Sequence, residues 1–157
     1  MFTSRKILIV EDYGDLFDLL GEAMALLGWE SIFAANNHEA LDMLEHDTPS
    51  TILVNVRAPV TDGINLLVSI KAHPTYAKIP VLAAIGRRGG LTRECCVALG
   101  CDDVILRPLV FAELEMRLSN IMSLERRKLI SLTPPVSLSF NTSKRSSIRG
   151  DRTPVAQ

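Results

Sequence analysis

The chain has little with which to hold a metal and no segment with which to cross a membrane. Its three cysteines, Cys95, Cys96 and Cys101, are odd in number and lack metal-ligand spacing, and His38, His46 and His73 all lie elsewhere. Such a set reads as small, mostly buried thiols in a reducing compartment, not as a zinc site or a disulfide framework. No apolar run approaches the ~20 residues of a membrane span. The opening MFTSRK leads straight into a strand-like run, so no secretory leader is expected and the protein reads as cytoplasmic. Net charge is small as well, -1 over 157 residues, but unevenly spread. From Leu129 onward Lys144, Arg145, Arg149 and Arg152 stand against Asp151 alone, which makes that stretch +3 and leaves -4 for residues 1–128. A domain of that sign is a poor partner for nucleic acid, whose phosphates demand a basic surface.

What is present is an alternation of two periodicities. Ile7–Val10 is a short, wholly apolar, β-branched run, as expected of a strand covered on both faces. Leu16, Leu19, Leu20, Ala23, Met24 and Leu27 then follow helical spacing, with Asp15 predicted as N-cap and Gly28 as the stop. The pattern repeats: strand Ser31–Ala34 with helix Glu39–Glu45, then strand Ile52–Val56 with helix Ile64–Ala72, halted by His73-Pro74. Strand Val81–Ile85 precedes a loop with Gly86, Gly89 and Gly90 and a short helix, Thr92–Leu99. Strand Val104–Leu106 is followed by a helix marked by Val110, Leu114, Leu118 and Ile121, fading near Lys128.

Five β–α pairs with short connections imply an α/β fold built on a parallel sheet with helices on both faces. Any site then lies beyond the carboxyl ends of the strands, after Val10, Val54, Ile85 and Leu106. The expected division is a folded domain over residues 1–128 and a disordered tail or linker stub over 129–157, where Pro134, Pro135 and Pro154 sit among Ser, Thr and Arg.

Three fragments fall at those strand ends: ILIVED around Glu11 and Asp12, APVTDG ending in Asp62 and Gly63, and Arg107-Pro108. In order and spacing they resemble the receiver (CheY-like) domain of two-component response regulators, over about residues 5 to 125. The resemblance implies a flavodoxin-like, doubly wound (βα)5 sheet of order 2-1-3-4-5. It also implies an acidic pair that helps to hold Mg²⁺, present as Glu11 and Asp12, and a loop proline with Asp-Gly, present as Pro59, Asp62 and Gly63. The family's phosphoacceptor aspartate maps onto Asn55, its hydroxyl onto Ile85, its lysine onto Arg107 and its fifth-strand aromatic onto Val104. The chain therefore resembles a degenerate variant, a pseudo-receiver.

Each change removes something definite. An amide is a far poorer nucleophile than a carboxylate, so no acyl phosphate forms on Asn55. Loss of one of three carboxylates leaves Glu11 and Asp12 a weak Mg²⁺ site or none. Ile85 donates no hydrogen bond, and Arg107 is a planar fork where a compact ammonium would stand. Glu11, Asp12 and Arg107 leave about one negative charge, which Arg57 or Arg87 can cancel, so a metal-independent site stabilised by ion pairs is expected.

The reading is a non-enzymatic, phosphorylation-independent interaction module in phosphorelay signalling. It would dock a protein partner, or a second copy of the chain, through the fourth helix, fifth strand and fifth helix, and bind neither nucleic acid nor membrane. The competing readings are a working receiver phosphorylated on Asp12 or Glu11, and the receiver part of a truncated transcriptional regulator. An enzyme or cofactor binder on the same sheet is disfavoured, because no Gly-rich phosphate fingerprint follows the first strand.

Overall fold

A computed structural model of the 157-residue chain describes residues 5–12, 14–57, 60–88 and 91–131. The chain divides into two compact units, residues 1–122 and 123–157. The first holds the sheet; of the second, only the last turns of the final helix, to Ser131, are described.

The elements alternate as expected: β1 (Arg5–Val10), α1 (Asp15–Leu26), β2 (Trp29–Ala34), α2 (Asn37–His46), β3 (Thr51–Asn55), α3 (Val60–Ala72), β4 (Val81–Ile85), α4 (Arg93–Ala98), β5 (Asp103–Leu106) and α5 (Phe111–Ser131), with a 3-10 turn at Tyr76–Lys78. All strand pairs are parallel and the order is β2-β1-β3-β4-β5, the predicted doubly wound, flavodoxin-like sheet.

Strand side chains alternate between two cores. On one face Ile7, Ile9, Leu53, Leu82 and Ile105 meet Leu20 and Met24 of α1 and Leu114, Leu118 and Ile121 of α5. On the other, Leu8, Val10, Ile52, Val54, Val81 and Ala83 meet Ala40 and Leu44 of α2, Leu66, Leu67 and Ile70 of α3, and Cys96 of α4. Ile7, Leu8 and Ile9 are fully buried, and each such side chain contributes about 1.5–3 kcal/mol. A strand covered on both faces cannot be polar on either, which is why ILIV carries no alternation.

Several boundaries move. Gly14, not Asp15, is the N-cap of α1; it has helical φ and ψ, and Asp15 is the first helical residue. Gly28 ends that helix as expected, at φ +85°, where a side chain would be strained. β2 begins two residues early at Trp29, and α3 begins at Val60. Gly63 thus lies inside the first turns of α3, where a Cβ would stand 2.7 Å from a methyl of Val56. α5 continues to Ser131, past the fading expected near Lys128. Of the predicted tail over 129–157, residues 129–131 belong to α5, and the rest from Leu132, like Pro59, Gly89 and Gly90, lies outside the described residues. No described helix is long and apolar enough to cross a membrane.

Asp102 locks β4 to the turn before β5. Its carboxylate accepts from the Val81 amide at 2.8 Å and from Lys71 Nζ at 3.3 Å, and Lys71 also reaches the Ile79 carbonyl at 3.1 Å. Gly100 must precede it, at φ +103°, because a Cβ there would stand 2.9 Å from the Lys71 stem.

The cysteines divide by environment. Cys96 and Cys101 are buried and Cys95 is exposed. Burial pushes both hidden thiols up, Cys101 to about 12, so they stay protonated and inert at neutral pH. A maleimide should therefore add once to the native chain, at Cys95, and three times after unfolding in denaturant. Intact mass under the two conditions checks this; rapid addition of more than one label to native protein would contradict the burial.

Candidate functional site

Three backbone bonds line up the carboxyl ends of the strands. The Glu11 amide donates to the Ala34 carbonyl at 3.0 Å, Val56 to Ala84 at 2.8 Å and Arg107 to Ile85 at 2.8 Å. The ladder thereby sets Glu11, Asn55, Ile85 and Arg107 side by side at the edge where a parallel α/β sheet carries its site.

Glu11 is almost wholly buried, and its carboxylate is fully engaged. One oxygen accepts from Asn55 Nδ2 and the other from Arg57 Nε at 3.0 Å. Arg57 Nε also stands 3.9 Å from Asp12, whose side chain is 61% exposed. Of the two arginines expected to balance the acidic pair, Arg57 makes the ion pair.

The other end of the Asn55 amide is held as well. Its Oδ1 accepts from an Arg107 terminal nitrogen at 2.5 Å, and the same nitrogen reaches the carbonyls of Val56 at 2.7 Å and Ala84 at 3.1 Å. The orientation of the amide follows from chemistry: Glu11 can only accept and Arg107 can only donate. An aspartate at 55 would satisfy Arg107 but set a second carboxylate against Glu11. Burial, and the charge of Arg57 nearby, lower the Arg107 pKa from its ordinary value, and Glu11 partly offsets them.

Ile85 and Val104, at the positions the resemblance assigns to the hydroxyl and the aromatic, are both buried, each 2% exposed, in the core under α4. The structure thus brings Glu11, Asn55 and Arg107 into one hydrogen-bonded row with Asp12 at its rim, and it leaves Ile85 and Val104 as packing residues.

The receiver domain model of response regulators matches residues 7–119. The chain belongs to the response regulator receiver domain family. The receiver is 29% identical over 120 residues to the transcriptional regulatory protein PrrA of Mycobacterium tuberculosis, covering 76% of this chain and 51% of that one. It is 26% identical over 148 residues to the probable transcriptional regulator ycf27 of Pyropia yezoensis, covering 90% and 60%. The chain therefore spans about half the length of the curated relatives it matches. Among solved structures it resembles a putative response regulator from Chloroflexus aurantiacus at TM-score 0.71 and 25% identity, over 77% of this chain and 99% of that one. It also resembles the receiver domain of the Pseudomonas aeruginosa sensor histidine kinase PA1611, which holds magnesium in its active-site cleft, at TM-score 0.68 and 26% identity, over 77% and 99%.

The donor set of this receiver does not fit that ion as it is arranged. Mg²⁺ takes oxygen ligands in near-ideal octahedral geometry. Here both oxygens of Glu11 already accept hydrogen bonds, and the Arg57 guanidinium stands where a cation would neutralise Glu11 and Asp12. Among the described residues no three His, Cys, Asp or Glu side chains come together to hold a metal.

Two features were missed in the sequence. Asp103, at the start of β5, joins Arg93 of α4 at 3.1 Å to Arg117 of α5 at 3.2 Å, and Arg117 continues to Glu113 at 3.4 Å. The Glu113/Arg117 spacing was the available signal. A groove of about 680 Å³ also opens between α1 and α5, with Asn55, Arg57 and Arg107 among its lining residues; nothing in the linear pattern pointed to it.

Breaking the Arg57–Glu11 pair takes a cationic partner from a buried carboxylate. Arg57→Met should cost about 2–3 kcal/mol, below the ~3–5 kcal/mol of a fully buried pair because Arg57 is partly exposed. The double variant Glu11→Gln/Arg57→Met should recover part of that loss. Chemical denaturation of the four-member cycle measures it, and strictly additive effects would mean that the two side chains are not coupled.

Proposed function

We propose that this receiver domain acts as a phosphorylation-independent protein-interaction module of two-component signalling. One observation carries the reading: the Asn55 amide is held at both ends, by Glu11 and by Arg107, in a row that is complete without a phosphoryl group. On this reading Asn55, Ile85, Arg107 and Val104 are the changed acceptor, hydroxyl, lysine and aromatic positions, and Mg²⁺ is not required. A ligand shifts an equilibrium only by its differential affinity for two states. With Ile85 and Val104 buried and apolar, the pocket has no side chain that would follow a phosphoryl group toward the output surface.

The docking surface on this reading is α4–β5–α5. The ion pairs through Asp103 fix the three elements to one another, and β5 is the edge strand of the sheet. Val97, Leu106 and Met116 are exposed apolar side chains on these elements, at 53%, 39% and 49%. Exposed apolar side chains on elements that also carry charged ones suit a protein partner, a second copy of the chain included. Two observations favour the competing readings. Asp12 is an exposed carboxylate free to meet a phosphodonor, and PrrA and ycf27 are transcriptional regulators by name, of which this chain spans part. Glu11, by contrast, is buried and engaged at both oxygens.

Incubation with acetyl phosphate and Mg²⁺ should leave the intact mass unchanged, and Asn55→Asp alone should restore little. A stoichiometric, acid-labile gain of one phosphoryl group on the parent chain would overturn the reading, and its loss in Asp12→Asn would assign it to that residue.

For the docking surface, affinity for a co-purified partner should be the same with and without phosphodonor. Glu94→Lys or Met116→Glu, both on exposed positions, should weaken it about tenfold with the melting temperature unchanged. A tenfold response to phosphodonor, or indifference to both substitutions, would refute the surface.

A further inference from the structure

The groove between α1 and α5 is not explained by protein docking at α4–β5–α5. Its walls are Leu16, Leu19, Leu20 and Ala23 on one side and Leu109, Phe111 and Leu114 on the other. Asn55, Arg57 and Arg107 also line it. Its volume of about 680 Å³ lies within the ~300–1,000 Å³ of small-molecule sites, which are mostly apolar with a few convergent polar groups. Leu19 and Phe111 remain 63% and 42% exposed on its rim, so part of its apolar surface faces water.

The lining of the groove carries two arginines and no carboxylate. Glu11 neutralises Arg57 at 3.0 Å, but among the described residues no carboxylate lies within 4.0 Å of the Arg107 guanidinium. Arg107 spends one terminal nitrogen on Asn55, Val56 and Ala84, all neutral acceptors. Its other terminal nitrogen lies beside Gly86, where even a Cβ would come within 3.2 Å. Burial and the Arg57 charge weigh against the charged form of Arg107, and Glu11 offsets them only in part. A cation without a direct ion pair suits a single negative charge, and guanidinium suits a carboxylate or its sulfonate analogue. A phosphate dianion would leave an excess charge half buried in an apolar cleft, which is costly.

We propose that the α1–α5 groove binds a small amphiphilic monoanion, an alkyl or aryl carboxylate, with its apolar body between Leu16, Leu19 and Phe111 and its head toward Arg107. The site goes beyond the docking reading. It lies on the other face of the sheet from α4, and its occupancy requires no chemistry at Asn55.

The probe is anilinonaphthalene sulfonate, followed by fluorescence against the folded full chain, with decanoate and decanol as competitors. Saturable one-site binding is expected, with decanoate displacing the probe at least about tenfold better than decanol. Leu19→Glu places a like charge on the rim at an exposed position and should weaken binding about tenfold without changing the melting temperature. Arg107→Gln should weaken it similarly and abolish the preference for decanoate. Met116→Glu, on the far side of α5 from Leu114, should leave binding unchanged. Absence of saturable binding at millimolar probe overturns the site. Equal displacement by decanol overturns the role of Arg107, and indifference to Leu19→Glu places the probe elsewhere and overturns the groove. Each of these results leaves response to phosphodonor untouched, so the two readings fail separately.

Discussion

Glu11 is a carboxylate buried just past the end of β1, and a buried charge must be paired and hydrogen-bonded or it will not stay charged. In this receiver the partners are an amide and a guanidinium, Asn55 Nδ2 and Arg57 Nε. That choice has consequences two strands away. An amide that donates to Glu11 must accept at its other end, and Arg107 supplies the donor from beyond β5. The same nitrogen of Arg107 also reaches the carbonyls of Val56 and Ala84. Glu11, Asn55 and Arg107 are thus one structural solution: an aspartate at 55 would still satisfy Arg107 but would set a second carboxylate against Glu11.

The same logic separates the two ends of the fifth strand. At its start, Asp103 gathers Arg93 and Arg117 in partly exposed ion pairs, each worth at most about 1 kcal/mol alone but set in a shared geometry. At its end, Arg107 is held by neutral acceptors. The first arrangement fixes a surface; the second closes a pocket. Between them Val104 is simply core.

The fold was legible in the sequence because strands covered on both faces must be continuously apolar, and ILIV, ILV and VLAAI each say so. Where the signal failed, a competing pattern was the cause. Glu30, exposed within β2, broke the apolar run and hid the strand start at Trp29. Asp62-Gly63 read as the opening of the third helix, although α3 already begins at Val60, and a Cβ on Gly63 would stand against Val56. The positions of Glu11, Asn55 and Arg107 were legible from spacing. Their connections were not: the Asn55–Glu11 and Arg107–Asn55 bonds span 44 and 52 residues, and which atoms meet depends on register. The spacing allowed either Arg57 or Arg87 beside Glu11. Only the folded loop after β3 decides for Arg57.

Because Asn55, Arg57 and Arg107 also line the α1–α5 groove, the row and the groove share a wall. An anion there would stand near the Arg107 guanidinium, whose three hydrogen bonds all leave from one terminal nitrogen. Such a ligand would add to the row instead of dismantling it, and would stabilise the folded chain by mass action. On the proposed reading it would not by that alone move α4–β5–α5, because Ile85 and Val104 are buried apolar side chains that make no polar contact with a bound group. A receiver of the proposed kind would separate two properties: occupancy of the strand ends, and the state of the surface offered to a partner.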